Sequence, residues 1–98
     1  MTITTNQENG KLQIALEGRL DTNTAPQLEA ELKRSVSGIT ELEFDFTGLE
    51  YISSAGLRVL LAAQKVMNKQ GSMVLRNVNS MVMEVFEITG FVDILTIE

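Results

Sequence analysis

Apolar residues recur at every second position in two stretches of the chain. Leu12, Ile14 and Leu16 alternate with Gln13, Ala15 and Glu17, so Lys11–Glu17 reads as a half-buried strand. Leu42, Phe44 and Phe46 alternate with Glu43 and Asp45, which predicts a second strand over Glu41–Phe46, ended by Thr47 and Gly48. Asn9-Gly10 is a hairpin signal. It predicts a short leading strand over Thr2–Gln7, anchored by Ile3 and antiparallel to Lys11–Glu17. Ser72–Arg76 reads as a further strand, with Met73 and Leu75 or Val74 on its buried side, and Phe91–Ile97 as a last short one.

Between these strands the period changes to that of a helix. Thr24 is the expected N-cap of the first helix, with Pro26 in its first turn and Gln27 placed to complete a capping box. Leu28, Leu32 and Val36 form a stripe four residues apart, and Gly38 follows the helix end. The second helix starts at Ser53-Ser54, runs to Gln70 and stops at Gly71. Leu57, Leu60, Leu61 and Gln64 share a turn spacing, and Ala55, Val59, Ala62, Ala63, Val66 and Met67 fill much of the rest. A wide buried arc is therefore expected, polar only at Arg58, Gln64, Lys65 and from Asn68 on. The third helix spans Met81–Thr89, capped by Asn79 or Ser80 and stopped by Gly90. Met81, Val82, Met83, Val85, Phe86 and Ile88 are too many apolar positions for one stripe. Either the domain covers this helix on two sides, which is the simpler expectation, or part of it faces a partner. The element order is ββαβαβαβ. A strand–helix–strand crossover over residues 41–76 implies parallel pairing, in an α/β fold with a mixed, mostly parallel sheet and helices packed against it.

Composition narrows the chemistry. Ninety-eight residues make one domain, spanning 1–98. The chain has neither histidine nor cysteine, so the common zinc constellations and any Ser-His-Asp or Cys-His site are excluded. A net charge of −5 with no Lys/Arg run leaves out the footprint of a nucleic-acid binder. No stretch approaches the roughly 20 apolar residues that span a bilayer. The first residues show neither a basic start nor an apolar core of a signal peptide, so no membrane partner and a cytoplasmic location are expected. A small enzyme using Asp21, Asp45 or Glu50 stays chemically open, but nothing in the sequence pairs these carboxylates in a pocket.

Ser53 and Ser54 lie at the positive end of a helix dipole, where a phosphate gains from the dipole and from free amides. For Gly18-Arg19-Leu20-Asp21 the plain reading is a strand-to-helix turn. The run FDFTGLEYISSAGLRVLL, residues 44–61, resembles the signature of STAS domains, and in particular of bacterial anti-sigma factor antagonists. The resemblance covers essentially the whole chain, without the further C-terminal helix of many members. Aligned on Gly56-Leu57, it places Ser54 at the phosphoacceptor position, Ser53 where the family carries an aspartate, and Ala55 at a second hydroxyl position. Ser53, with its own hydroxyl, is a secondary candidate acceptor. Gly18-Arg19-Leu20-Asp21 matches the family's Gly-x-Leu/Ile-Asp, which makes Asp21 and Thr24 candidate partner contacts beside Ser53, Ser54, Ala55, Gly56 and Arg58.

What this implies is a partner switch. The unphosphorylated protein would bind an anti-sigma factor that is often a serine protein kinase, and so release a sigma factor. Phosphorylation would end the interaction and a serine phosphatase would restore it. The chain would be a ligand and substrate, a monomer when free, with no cofactor, metal or catalytic residue of its own. The alternative within the same family is a constitutive STAS scaffold or transporter-associated subunit, for which the methionine-rich last helix would matter more than Ser54.

Overall fold

The computed structural model describes residues 1–98. Its elements are β1 (Thr2–Glu8), β2 (Lys11–Leu20), α1 (Ala25–Ser35), β3 (Glu41–Ile52), α2 (Ser54–Gln70), β4 (Ser72–Arg76) and α3 (Ser80–Thr89), followed by a 3-10 turn over Phe91–Asp93. The strands lie in the order β1-β2-β3-β4. β1 and β2 pair antiparallel through a two-residue turn, with Asn9 at φ 50° and Gly10 at φ 81°, the left-handed pair that such a turn requires. The Gly10 carbonyl also accepts the amides of Thr40 and Glu41, which fixes the start of β3 beside the turn. β2–β3 and β3–β4 are parallel, each joined through a helix.

Two right-handed crossovers that step the same way across a sheet leave their helices on one face. Leu12, Ile14, Leu16, Leu42, Phe44, Phe46, Met73 and Leu75 point to that face and are buried beneath Leu28, Leu32, Leu57, Leu60, Ala63, Met67, Val82 and Phe86. The rings of Phe44 and Phe46 meet edge to face at 5.9 Å. The opposite face stays open and polar. On it Glu43 accepts Gln13 Nε2 at 2.6 Å and Arg76 Nε at 2.8 Å, with Lys11 Nζ 3.7 Å away. Asp45 accepts the hydroxyl and amide of Thr47 and the side-chain amide of Asn77.

Several expectations need correction. The strand expected over Phe91–Ile97 does not form. The amides of Ile94 and Leu95 bond the Phe91 carbonyl, so this backbone is committed to a turn, and only Ile97 makes a parallel bridge, beside Leu75. β3 does not end at Thr47-Gly48. It continues to Ile52 beside the end of β2, with one extra residue opposite Ala15–Glu17 and another opposite Gly18–Arg19. The buried arc of α2 is narrower than its composition suggests: Ala62 and Val66 are exposed and Leu61 half-buried, while Gln64 is buried. The Gln64 amide donates to Asn68 Oδ1 at 2.9 Å, and its Oε1 accepts no hydrogen bond. In α3 only Val82 and Phe86 are buried; Met81 is 62% and Ile88 77% exposed. The domain therefore covers this helix on one side, not two.

Gly71 ends α2 as expected, but through a close approach. A Cβ there would lie 1.8 Å from the Thr40 carbonyl oxygen, at the point where the Ser72 amide bonds that oxygen to start β4. Gly71→Ala is expected to cost about 2–3 kcal/mol, the scale of forced overpacking, with a matching drop in the urea midpoint. The open face also makes stability depend on pH. The hydrogen bonds from Arg76 and Gln13 hold the Glu43 carboxyl below its ordinary range, and those from Thr47 and Asn77 do the same for Asp45. Depressed folded-state values contribute stability that is full above the ordinary carboxylate range and is lost as pH falls from there through the lowered folded-state values. Urea unfolding between about pH 6 and pH 3 is expected to show falling stability, and a shallower fall in a Glu43→Gln, Asp45→Asn double variant.

Candidate functional site

The carboxyl ends of β2 and β3 meet the start of α2 at one corner. Leu20 lies beside Ile52, and the Ser53 amide donates to the Leu20 carbonyl at 2.9 Å. Ser53 has extended backbone and is the N-cap of α2: its Oγ accepts the Gly56 amide at 3.5 Å and its carbonyl accepts the Leu57 amide at 3.0 Å. Ser54 is the first helical residue and is exposed. The two serines thus divide the work. Ser53 is half-buried with its hydroxyl engaged, while the Ser54 hydroxyl makes no hydrogen bond within the protein and stands beside first-turn amides that have no acceptor within the helix.

The other expected site residues take different places. Arg58, one turn along α2, is exposed, and Ala55 is half-buried. Gly56 is buried, and a Cβ there would sit 2.7 Å from Leu20 Cγ and 2.9 Å from Ile52 Cγ1. Its contribution is to let the helix start against the strand ends. Thr24 occupies the N-cap position of α1, but its side chain caps nothing, and the capping box with Gln27 is absent. Its hydroxyl instead donates to the Arg19 carbonyl at 2.7 Å and accepts the Asp21 amide at 2.8 Å, while Gln27 Nε2 reaches the Met1 carbonyl. Asp21 Oδ1 accepts the amides of Asn23 and Thr24, closing the turn after β2. Desolvation pushes the Asp21 carboxyl up, but the amides of Thr24 and Asn23, the Thr24 hydroxyl and the Arg19 guanidinium outweigh it and hold the group below its ordinary range. Asp21 and Thr24 are thereby builders of the loop that flanks the serines. Asp45 is tied to Thr47 and Asn77 on the open sheet face, and no hydrogen bond joins it to Asp21 or Glu50.

Two neighbours of the corner were not foreseen. The Arg19 guanidinium lies 4.1 Å above the centre of the Tyr51 ring, and Arg19 Nε is 3.7 Å from Asp21 Oδ2. Tyr51 is 37% exposed, so the pair forms an amphipathic border to the corner. The continued pairing of β3 with β2 sets Arg19 against Tyr51. The second is a cleft of about 250 Å³ between α1 and α2, lined by Thr22, Ala25, Pro26, Glu29, Ala55, Arg58 and Val59. It runs on, through Glu29 and Val59, into an apolar cleft of about 150 Å³ that includes Leu32, Val36 and Val66. No histidine, cysteine or carboxylate cluster able to hold a metal ion is present, and no helix is long and apolar enough to cross a membrane.

Known proteins resemble this chain in sequence and in fold. The provisionally named anti-sigma factor antagonist BtrV of Bordetella bronchiseptica is 42% identical over 99 residues, which covers 99% of this chain and 85% of that one. An anti-sigma factor antagonist from Mycobacterium paratuberculosis superposes with a TM-score of 0.88 at 22% identity, over 98% of this chain and 83% of that structure. The Bacillus cell fate determinant SpoIIAA, in its phosphorylated form, superposes with a TM-score of 0.77 at 19% identity, over 99% and 91%. The STAS domain profile matches residues 2–98, and the chain belongs to the STAS domain family.

Proposed function

We propose that this protein is an anti-sigma factor antagonist that binds an anti-sigma factor with serine kinase activity and is released by phosphorylation of Ser54. The observation that carries the proposal is the division of labour at the start of α2: Ser53 holds the cap, and Ser54 offers a free, exposed hydroxyl at the corner. The 42% identity to a relative named as an antagonist, and the existence of a phosphorylated form of a protein with this fold, support it.

A phosphate on Ser54 adds about −1.5 to −2 charges and three strong acceptors. The unbonded first-turn amides and Arg58, one turn along the same helix face, favour that charge within the domain. A protein docked over the corner meets a hydrated dianion instead, and a docked surface with acidic or apolar groups there is expelled. A penalty of about 3 kcal/mol weakens binding roughly a hundredfold without any change of fold. In this reading the protein is substrate and ligand; ATP and magnesium belong to the kinase, and a serine phosphatase resets the switch. Asp21 and Thr24 act by holding the flanking loop, and Ala55 and Arg58 by lining the docking surface.

The exposure of Met81 and Ile88 favours a second reading, a constitutive STAS scaffold or transporter-associated subunit that docks through α3.

With the cognate kinase and ATP, intact-mass analysis is expected to show one added phosphate in the wild type and in Ser53→Ala, and none in Ser54→Ala. In calorimetric titrations with the kinase, Ser54→Ala should bind as the unmodified protein does, and Ser54→Asp about a hundredfold more weakly. Equal binding by both, with loss on Met81→Glu and Ile88→Glu, would replace this account with the scaffold. Tyr51→Ala is expected to weaken the same complex about tenfold, as removal of a rigid aromatic anchor at an interface does, with the unfolding midpoint little changed.

A further inference from the structure

The two edges of the sheet are not alike. At the β4 edge, Leu75 donates to the Thr96 carbonyl and accepts the Glu98 amide, so the end of the chain occupies that side. At the β1 edge nothing is docked. Six of the seven β1 residues are exposed, including Thr5 and Gln7, whose partners Ile14 and Leu12 lie on the helix-covered face. The helices therefore stop short of this strand.

The devices that usually blunt an edge are missing. Thr2–Glu8 holds no lysine, proline or glycine and one charge, and its seven successive pairs with β2 run without a bulge. In a two-residue hairpin the closing pair is hydrogen-bonded on both sides. Glu8–Lys11 is that pair, so Glu8, Asn6, Thr4 and Thr2 turn their amides and carbonyls toward β2. Ile3, Thr5 and Gln7 turn theirs outward, with no partner.

This outward set is self-complementary. An antiparallel two-fold through Thr5 sets Thr5 against Thr5 of a second copy, and Ile3 against Gln7, which uses every free amide and carbonyl of the edge in six main-chain bonds. The one charge, Glu8, falls opposite Thr2 of the other copy, about 20 Å from its twin at the usual rise per residue. The like-charge contact that would oppose self-pairing is avoided. A two-fold consumes the β1 edge of both copies, so growth stops at two.

We propose that β1 is a self-association edge, through which two copies of this chain form a continuous eight-stranded sheet about a two-fold axis at Thr5. The surface buried by one short strand edge is at the low end for specific interfaces, so the dimer forms reversibly with concentration. It leaves Ser54, which lies past the carboxyl end of β3 and not on the β1 edge, free in both copies.

The position on the axis supplies the test. Sedimentation equilibrium of the wild type from low micromolar to about millimolar concentration should show the mass rise from one chain to two. Thr5→Lys and Thr5→Glu each place like charges face to face and should weaken association about tenfold or more, while an equimolar mixture of the two should recover it. Thr5→Pro removes an outward amide that makes no bond within the chain, and should abolish association with the fold retained by circular dichroism. Three results would each overturn the proposal: wild type that stays a single chain throughout, association unchanged in Thr5→Lys and Thr5→Pro, or a Lys–Glu mixture no more associated than its components.

Discussion

The geometry of the candidate corner depends on one joint, where the end of β2 is welded to the start of α2. The Ser53 amide bonds the Leu20 carbonyl, and the helix can begin there only because Gly56 has no side chain to strike Leu20 and Ile52. That contact fixes the direction in which α2 leaves the sheet. It also decides which serine becomes the cap and which stands free, since the residue tethered to the strand end is the one with extended backbone and an inward oxygen. The joint draws together everything else at the site, from the Asp21–Thr24 turn that follows Leu20 to the Arg19–Tyr51 stack one pair behind it.

Most of the fold was legible because burial on one side of a sheet imposes a strict period of two. The Leu12–Leu16 and Leu42–Phe46 alternations show in the sequence for that reason, and the Asn9-Gly10 hairpin and the parallel crossover over residues 41–76 form as the turn signal and the element order predict. The reading failed where the period breaks. After Phe46 the buried residues of β3 are Leu49 and Ile52, three apart, because two extra residues bulge out of register with β2. A strand with two bulges has no alternation to detect, so the period of two marks only its first half and carries no sign of the Arg19–Tyr51 pair. The tail failed for the opposite reason. Phe91–Ile97 is rich in β-formers, but its backbone bonds close a turn after Gly90, and propensity yields to that local demand.

The site was legible in its residues more than in their tasks. Asp21, Thr24, Ser53, Ser54 and Gly56 all gather at the corner, yet four of the five are occupied with building it. Asp21 and Thr24 exchange hydrogen bonds across a turn, Ser53 caps, and Gly56 is packing space. Spacing alone cannot separate a residue that makes a surface from one that is the surface; the separation comes from asking where each polar atom's hydrogen bond goes. Applied to Ser54, that question returns a free hydroxyl.

The same accounting explains why a charge placed at this corner could act without disturbing the fold. Carboxylates on the open sheet face are already held by Arg76, Gln13, Thr47 and Asn77, so added negative charge there would disrupt bonds that stability uses. The start of α2 has no acidic residue in its first turn and two amides without partners, and so tolerates an anion locally. A modification that is neutral or favourable for the isolated domain and unfavourable for a docked one shifts only the binding equilibrium. That asymmetry requires the acceptor to be outside the network that holds the corner together, which is the position Ser54 has and Ser53 lacks.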